Sequence, residues 1–326
     1  MRKLLIVVLA AGIVGVPFWL WHRRPKAPES VPPVEAPAPA PEPGHGDPAP
    51  AVPLTADEAF SKAQALSKSG KAAEAAPLYE RALEADPSGN TGKRAAGALA
   101  DHYAGLKMPR KALGYRLRTD LSSAARTQAE VEAKAMADTV FTGAPSADDL
   151  VVTVAPGETL GQIAKRHGTT PECLQRVNKL RDMHTIVAGQ RLKVVRGTFR
   201  ILVEKAARRL TVQLDGVPVR TYMVGIGAPE HPTPVTVFTI EEKVPQPPWH
   251  QPGQPPLPYG HPDNILGTRW MGFNRSPEYS GYGIHGTTKD ESVGQASSNG
   301  CVRMHNADVE EVFDLVPRGT VVEIRD

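Results

Sequence analysis

Hydrophobic and polar positions divide the chain into blocks of different period. An uncharged run of 18 residues from Leu4 to Trp21 lies between Arg2-Lys3 and His22-Arg23-Arg24, at the lower length limit for a membrane-spanning helix. It ends in Phe18, Trp19, Leu20 and Trp21 rather than in the small residues of a cleavage site. Residues 1–24 are therefore expected to be an uncleaved membrane anchor, with a cleaved signal segment as the alternative. From Pro25 to Pro53 there are 11 prolines in 29 residues and no Leu, Ile or aromatic side chain. Such a segment cannot bury a core, and 25–53 reads as an extended polyproline-type linker. Residues 54–142 are alanine-rich with helical spacing. After a break at Gly143–Asp149, residues 150–196 run strand, helix, helix, strand: Val151–Val154, Gly161–His167, Pro171–Asn178 and Arg191–Val195. From Thr198 the period changes to that of strands, with Leu210–Leu214 and Val217–Val224 flanking Asp215-Gly216, a two-residue hairpin turn. Eight prolines between Val244 and Pro262 exclude a ladder strand there and predict a rigid surface loop long enough to act as a lid.

The expected fold class is thus multidomain: a helical segment, a β-α-α-β module and a β-rich domain over 198–326. A length of 326 residues allows two or three domains. With 40% hydrophobic and 22% charged residues the chain is not wholly disordered or fibrous. Charge narrows the partners, because 38 Lys+Arg against 35 Asp+Glu is too even for a nucleic-acid binder. Only two cysteines occur, Cys173 and Cys301, which excludes a disulfide-dense scaffold and a four-thiolate zinc site. Histidines such as His231, His250 and His261 follow no metal-ligand spacing, so no metal and no other cofactor is expected.

Two blocks resemble known modules. Ala63, Leu66, Gly70, Ala75, Tyr79, Ala82 and Pro87 stand at tetratricopeptide spacings, and Lys111-Ala112-Leu113 echoes Glu74-Ala75-Ala76 with a period of about 37. The segment resembles two degenerate repeats plus a capping helix, and either a protein-binding groove or a plain helical spacer fits that pattern. Residues 151–195 resemble a LysM module through Gly157, Thr159-Leu160, Ile163-Ala164, Leu174, Asn178, Gly189-Gln190 and Leu192. That resemblance implies binding of N-acetylglucosamine-containing cell-wall glycan, with Gly157, Glu158, Thr159, Leu160, Ile186 and Val187 near sugar. For each of these, a turn or core role is the competing explanation. Cys173, in the second helix of the module, reads as a buried small residue.

Tyr282-Gly283-Ile284-His285-Gly286-Thr287 and Ser297-Ser298-Asn299-Gly300-Cys301-Val302-Arg303-Met304 carry the candidate chemistry. Acyl transfer by a thiol needs a thiolate, an imidazole to take and return its proton, and N–H donors for the developing oxyanion. Cys301 and His285 supply the first two. Gly300 is expected to leave the backbone open on the approach side, so that a substrate carbonyl reaches the sulfur and the N–H groups of Gly300 and Cys301.

With their neighbours, these motifs resemble the L,D-transpeptidase (YkuD) catalytic domain over 199–326. The resemblance also draws on Thr233-Pro234 before Phe238 and on Leu266-Gly267-Thr268-Arg269-Trp270. It implies an enzyme of cell-wall biogenesis that cleaves the L,D bond before the terminal D-Ala of a peptidoglycan tetrapeptide stem, holds the stem as a thioester and passes it to an amine. It makes Cys301 the nucleophile, His285 the base and acid, and the carbonyl of Gly286 the orienter of the imidazole. Tyr282, Ser298, Asn299 and Gly300 become pocket residues. Arg303 either orders the catalytic turn, the preferred role, or meets a substrate carboxylate. The chain departs from many relatives at Val235-Thr236 and at Asn299, where a His is often found. Water as acceptor would make it an L,D-carboxypeptidase or cross-link hydrolase, and a noncatalytic wall-binding scaffold is the rival from another class. The expected location is the cell envelope, anchored in the cytoplasmic membrane with the catalytic domain outside. The LysM and catalytic blocks are expected to be separate folding units joined near Arg196-Gly197.

Overall fold

The computed structural model describes residues 54–250 and 253–326. The expected anchor and proline-rich linker, 1–53, lie outside the described residues, and among those described no helix is long and apolar enough to cross a membrane.

Five helices come first: α1 (Ala56–Lys68), α2 (Ala72–Ala85), α3 (Asn90–Gly105), α4 (Pro109–Arg116) and α5 (Ser123–Val140). Thr55 starts α1 with a capping box: its hydroxyl accepts the Glu58 N–H, and the Glu58 carboxylate accepts the Thr55 N–H at 2.9 Å. Small residues let α1, α2 and α3 approach closely, with Ala59, Ala63, Ala82, Ala95 and Ala96 buried around Phe60, Tyr79 and Leu99. Tyr103 and Tyr115 stack at 5.5 Å, and both hydroxyls donate to Glu80, at 3.2 and 3.0 Å. That arrangement ties α2, α3 and α4 together.

The next module pairs β1 (Leu150–Thr153) antiparallel with β2 (Arg191–Val194) around α6 (Leu160–His167) and α7 (Pro171–Val177). Thr159 and Gln162 form a second capping box at α6, which ends on the left-handed Gly168. Asn178 closes the unit by donating to the carbonyls of Leu174 and Lys193 and accepting the Lys193 N–H at 2.7 Å.

The last and largest part consists of β3 (Phe199–Glu204), β4 (Arg209–Leu214), β5 (Val217–Met223), β6 (Ile226–Gly227), β7 (Val237–Pro245), β8 (Arg269–Phe273), β9 (Gly283–His285), β10 (Ala296–Ser298), β11 (Val302–Arg303), α8 (Asn306–Leu315) and β12 (Val321–Arg325). Eight strands form one mixed sheet in the order β11-β9-β8-β7-β12-β3-β4-β5, and β10 pairs with β6 in a small second sheet. The Asp215-Gly216 hairpin turn forms as expected, both residues having positive φ, 53° and 82°. One departure is that β7 runs on through Val244 and Pro245, which pair with Trp270 and Arg269, so the proline-rich loop starts at Gln246, and within it Trp249 bridges Leu257. Its base is held by Asn264, whose amide donates to the carbonyls of Pro247, Leu257 and Pro258 and whose oxygen accepts the Leu266 N–H.

Between the LysM-like and catalytic blocks the structure differs from the expectation of separate units. Cys173 and Val177 of α7 belong to the same buried cluster as Ile201, Ile240, Met271, Ile284 and Val312 of the catalytic part. Arg176 pairs with Asp314 of α8 at 3.1 Å. At the junction Arg110 of α4 is buried, donating through Nε to Asp215 at 3.2 Å, through Nη1 to Asp149 at 3.0 Å, and through Nη2 to the carbonyl of Arg196. Lys193 of β2 pairs with the same Asp149 at 3.4 Å. A guanidinium removed from water requires such pairing, and here the pairing joins the helical segment, the middle module and the β4–β5 hairpin. The short link is therefore the centre of an interface.

Candidate active site

The register of β9, β8 and β11 builds the site. Arg303 lies opposite His285 in the parallel β11–β9 pair, and Trp270 lies opposite His285 in the antiparallel β8–β9 pair. Side chains alternate across a strand, so Met271, Ile284 and Val302 enter the core under α8 while Trp270, His285 and Arg303 share the other face. Cys301 lies just before β11, two residues ahead of Arg303, with its Sγ at the Gly281 carbonyl.

His285 is buried, and its Nδ1 lies 2.5 Å from the carbonyl oxygen of Gly286. A carbonyl only accepts, so Nδ1 carries the proton and Nε2 is left with a lone pair. Burial lowers the imidazole pKa to about 4, more than the backbone contacts with Gly286 and Leu266 raise it, and the positive charge of Arg303 adds to the lowering. The Cys301 thiol, surrounded by protein but still partly open to solvent, is pushed up to about 11 by desolvation against opposing contributions from Gly283 and Arg303. Its Sγ–H points at the Gly281 carbonyl, 3.6 Å away. Both groups are thus neutral near pH 7. A turn of the Cys301 side chain away from Gly281 is needed before the thiol proton can pass to imidazole, an adjustment common before substrate binds.

The catalytic turn is held by Ser298, whose buried hydroxyl donates to the Cys301 carbonyl at 2.7 Å and accepts the Gly300 N–H at 3.1 Å. The expected oxyanion role of the Gly300 N–H is corrected by that second bond, since the donor is already engaged. The expected openness at Gly300 is corrected as well: a Cβ there would stand 2.5 Å from the Tyr282 ring. Glycine is required instead by a φ of +104° and by that ring. The Cys301 N–H has no partner in the described structure and is the donor left for an oxyanion. Asn299 is exposed beside it.

Arg303 orders its neighbourhood through backbone alone, exchanging two 2.9 Å hydrogen bonds with Gly225. Its Nε is buried with no partner among the described residues. The preferred ordering role thus rests on these backbone bonds rather than on the guanidinium Nε.

Sequence reasoning assigned no role to Trp270 or Asn306. The Trp270 ring centroid lies 5.9 Å from that of His285 and covers Gly283, and its Nε1 donates to Glu242. Asn306 bridges the loop before β8 and the loop after β9, at Thr268 and Thr287. The signal was present in the recurring Gly-Thr pairs of Leu266-Gly267-Thr268 and His285-Gly286-Thr287.

In the middle module, Leu160 is a core residue at 2% exposure, which corrects its expected contact with sugar: its side chain is spent on packing. Thr159 is exposed and its hydroxyl caps α6. Glu158 accepts the Ala155 N–H and pairs with Arg166. Gly157, with φ +74°, is open to solvent, Ile186 packs partly on the module core and Val187 is exposed. Cys173 is buried, and desolvation pushes its thiol up to about 11.

Residues 198–324 match the family model of the L,D-transpeptidase catalytic domain, and 152–195 match that of the LysM domain. A Bacillus subtilis protein assigned as L,D-transpeptidase YqjB is 39% identical over 39% of this chain and 70% of its own. A Bacillus licheniformis protein assigned as L,D-transpeptidase YkuD is 34% identical over 54% of this chain and 98% of its own. The chain belongs to the L,D-transpeptidase family. Among solved structures, an L,D-transpeptidase from Mycobacterium smegmatis is 20% identical, covering 43% of this chain and 65% of that one with a TM-score of 0.32. As a family member the chain carries its histidine and cysteine motifs at paired neighbouring strands, with the LysM domain packed against α8 of the L,D-transpeptidase domain.

Proposed function

We propose that the chain is a cysteine-dependent peptidoglycan L,D-transpeptidase. In the first half-reaction His285 Nε2 takes the Cys301 proton as sulfur attacks the carbonyl before the terminal D-Ala of a tetrapeptide stem. The C–S bond forms, the oxyanion is met by the Cys301 N–H, and the C–N bond breaks as the imidazolium returns its proton to the departing D-Ala amine. In the second half-reaction an acceptor amine attacks the thioester carbonyl and gives its proton to His285; the new C–N bond forms, the C–S bond breaks, and the imidazolium returns the proton to the departing sulfur, restoring the thiol. Arg303 receives a carboxylate of the donor stem, charge-assisted and sheltered. Gly157, Glu158, Thr159, Ile186 and Val187 form the glycan-facing surface of the LysM domain. The catalytic domain acts outside the cytoplasm, residues 1–24 serve as its membrane anchor, and the helical segment offers a surface to a protein partner.

The observation that supports this reading is the pairing of β9 with β11, in which Arg303, two residues after Cys301, lies opposite His285, together with the hydrogen bond of His285 Nδ1 to the Gly286 carbonyl. Incubation with disaccharide tetrapeptides tests it. Dimers lacking one D-Ala are the expected product, whereas tripeptides alone would make water the acceptor, and no reaction would leave a wall-binding scaffold.

A further inference from the structure

Asn306 is the first residue of α8, yet its side chain turns away from the helix into the loops beside His285. Its Oδ1 accepts the Thr268 N–H at 3.1 Å and its Nδ2 donates to the Thr287 carbonyl at 2.9 Å. Two glycines make room for this amide: a Cβ on either Gly267 or Gly286 would collide with Asn306 Oδ1. Gly267 also needs its left-handed φ of +65°, and a Cβ there would stand 2.5 Å from the Thr287 nitrogen. The two loops are therefore pressed together with one amide clamping both.

Gly286 lies inside this clamp. Its N–H donates to the Arg269 carbonyl at 3.1 Å, and the next residue is held at its carbonyl by Asn306 and at its hydroxyl by the Lys289 N–H, at 3.0 Å. The peptide unit between Gly286 and Thr287 is thus fixed on both sides, and it contains the carbonyl that receives the His285 Nδ1 proton. Leu266, the other backbone group acting on the imidazole, precedes Gly267 in the clamped loop.

We propose that Asn306 is a positioning residue for the base: by locking the Gly286–Thr287 peptide it holds the Gly286 carbonyl where it enforces the Nδ1–H tautomer of His285. This rests on the reading of His285 as the base. Neutral imidazole populates both tautomers unless a fixed partner chooses between them, and only the Nδ1–H form presents a lone pair at Nε2. A carbonyl free to rotate would release the ring to the other tautomer and to other orientations. Misorientation of a catalytic group lowers rate more than substrate binding.

The test uses the full-length chain labelled with nitrogen-15 at histidine, the His285 signals being identified by their loss in His285→Gln. In the parent, the nitrogen shifts should report the Nδ1–H tautomer alone. Asn306→Ala should show both tautomers and acylate Cys301 with a carbapenem about 10- to 100-fold more slowly, with its thermal midpoint recorded alongside. Should that variant not fold, Asn306→Asp retains the acceptor for Thr268 and replaces the donor to Thr287 by an oxygen that repels its carbonyl, and the same mixture and slowing are expected. A folded variant of either kind with a pure Nδ1–H signal and acylation within twofold of the parent overturns the proposal. Acylation at the parental rate by His285→Gln would instead remove the base itself, and the proposal with it.

Discussion

Arg303 stands directly opposite His285 in the β9–β11 pair, one pleat beyond Cys301, with its buried Nε unmatched by any described acceptor. On the proposed function this guanidinium meets a carboxylate of the donor stem, and a charged hydrogen bond of this kind contributes about 1.5–3 kcal/mol. Arg303→Ala is expected to raise KM for a tetrapeptide donor with a free terminal carboxylate about 10- to 100-fold, and to change much less with a donor amidated there. Steady-state kinetics on the two donors measure the difference.

The ionisation of the pair yields a second prediction. With the thiol pushed up to about 11 and the imidazole down to about 4, the resting site is neutral thiol beside neutral imidazole. Alkylation of Cys301 by iodoacetamide should therefore climb by about tenfold per pH unit from neutrality toward pH 10, following the thiolate fraction. A preformed thiolate–imidazolium pair would give a flat profile over the same range. For stability the sign follows from His285, whose folded pKa lies below its ordinary 6.5. Its contribution is complete above about 6.5 and is lost as pH falls through about 4. His285→Gln should flatten that part of the urea-unfolding profile.

Gly300 has a conformational and a steric requirement at once. Gly300→Ala is expected to cost about 1–3 kcal/mol from its positive φ alone, plus the collision with Tyr282. Combining it with Tyr282→Ala should recover the collision and leave the backbone cost, giving a non-additive double-mutant cycle in denaturant melts.

The hairpin, the β-α-α-β module, the cysteine and histidine motifs and the alanine-packed helices could all be read along the chain, because each is written in local periodicity or in adjacent residues. What could not be read lies in contacts between distant positions. Gly300 looked like an open approach, since nothing local places the Tyr282 ring over it. Leu160 fits a groove or a core equally in sequence, and its burial decides for the core. Asn306 and Gly286, 20 residues apart, meet only because α8 begins where the loop after β9 turns.

The packing around Arg110 was equally hidden, and it reverses one expectation. With Cys173 in the main core and Arg110 bound to Asp149 and Asp215, removing the LysM domain should destabilise the catalytic domain rather than merely untether it. Arg110→Ala strands buried carboxylates and is expected to cost about 3–5 kcal/mol, measurable by urea unfolding of the full chain. Arg110→Ala within 0.5 kcal/mol of the parent, a typical surface effect, would show that the junction carries no such load.

The central claim is that Cys301 holds the donor stem. Turnover with a disaccharide tetrapeptide, quenched in acid and digested, allows the adduct to be located by mass spectrometry. The peptide containing Cys301 is expected to carry the stem less one D-Ala, and Cys301→Ala is expected to carry nothing. A stem adduct on any other residue, or cross-linked product formed by Cys301→Ala, would contradict the account.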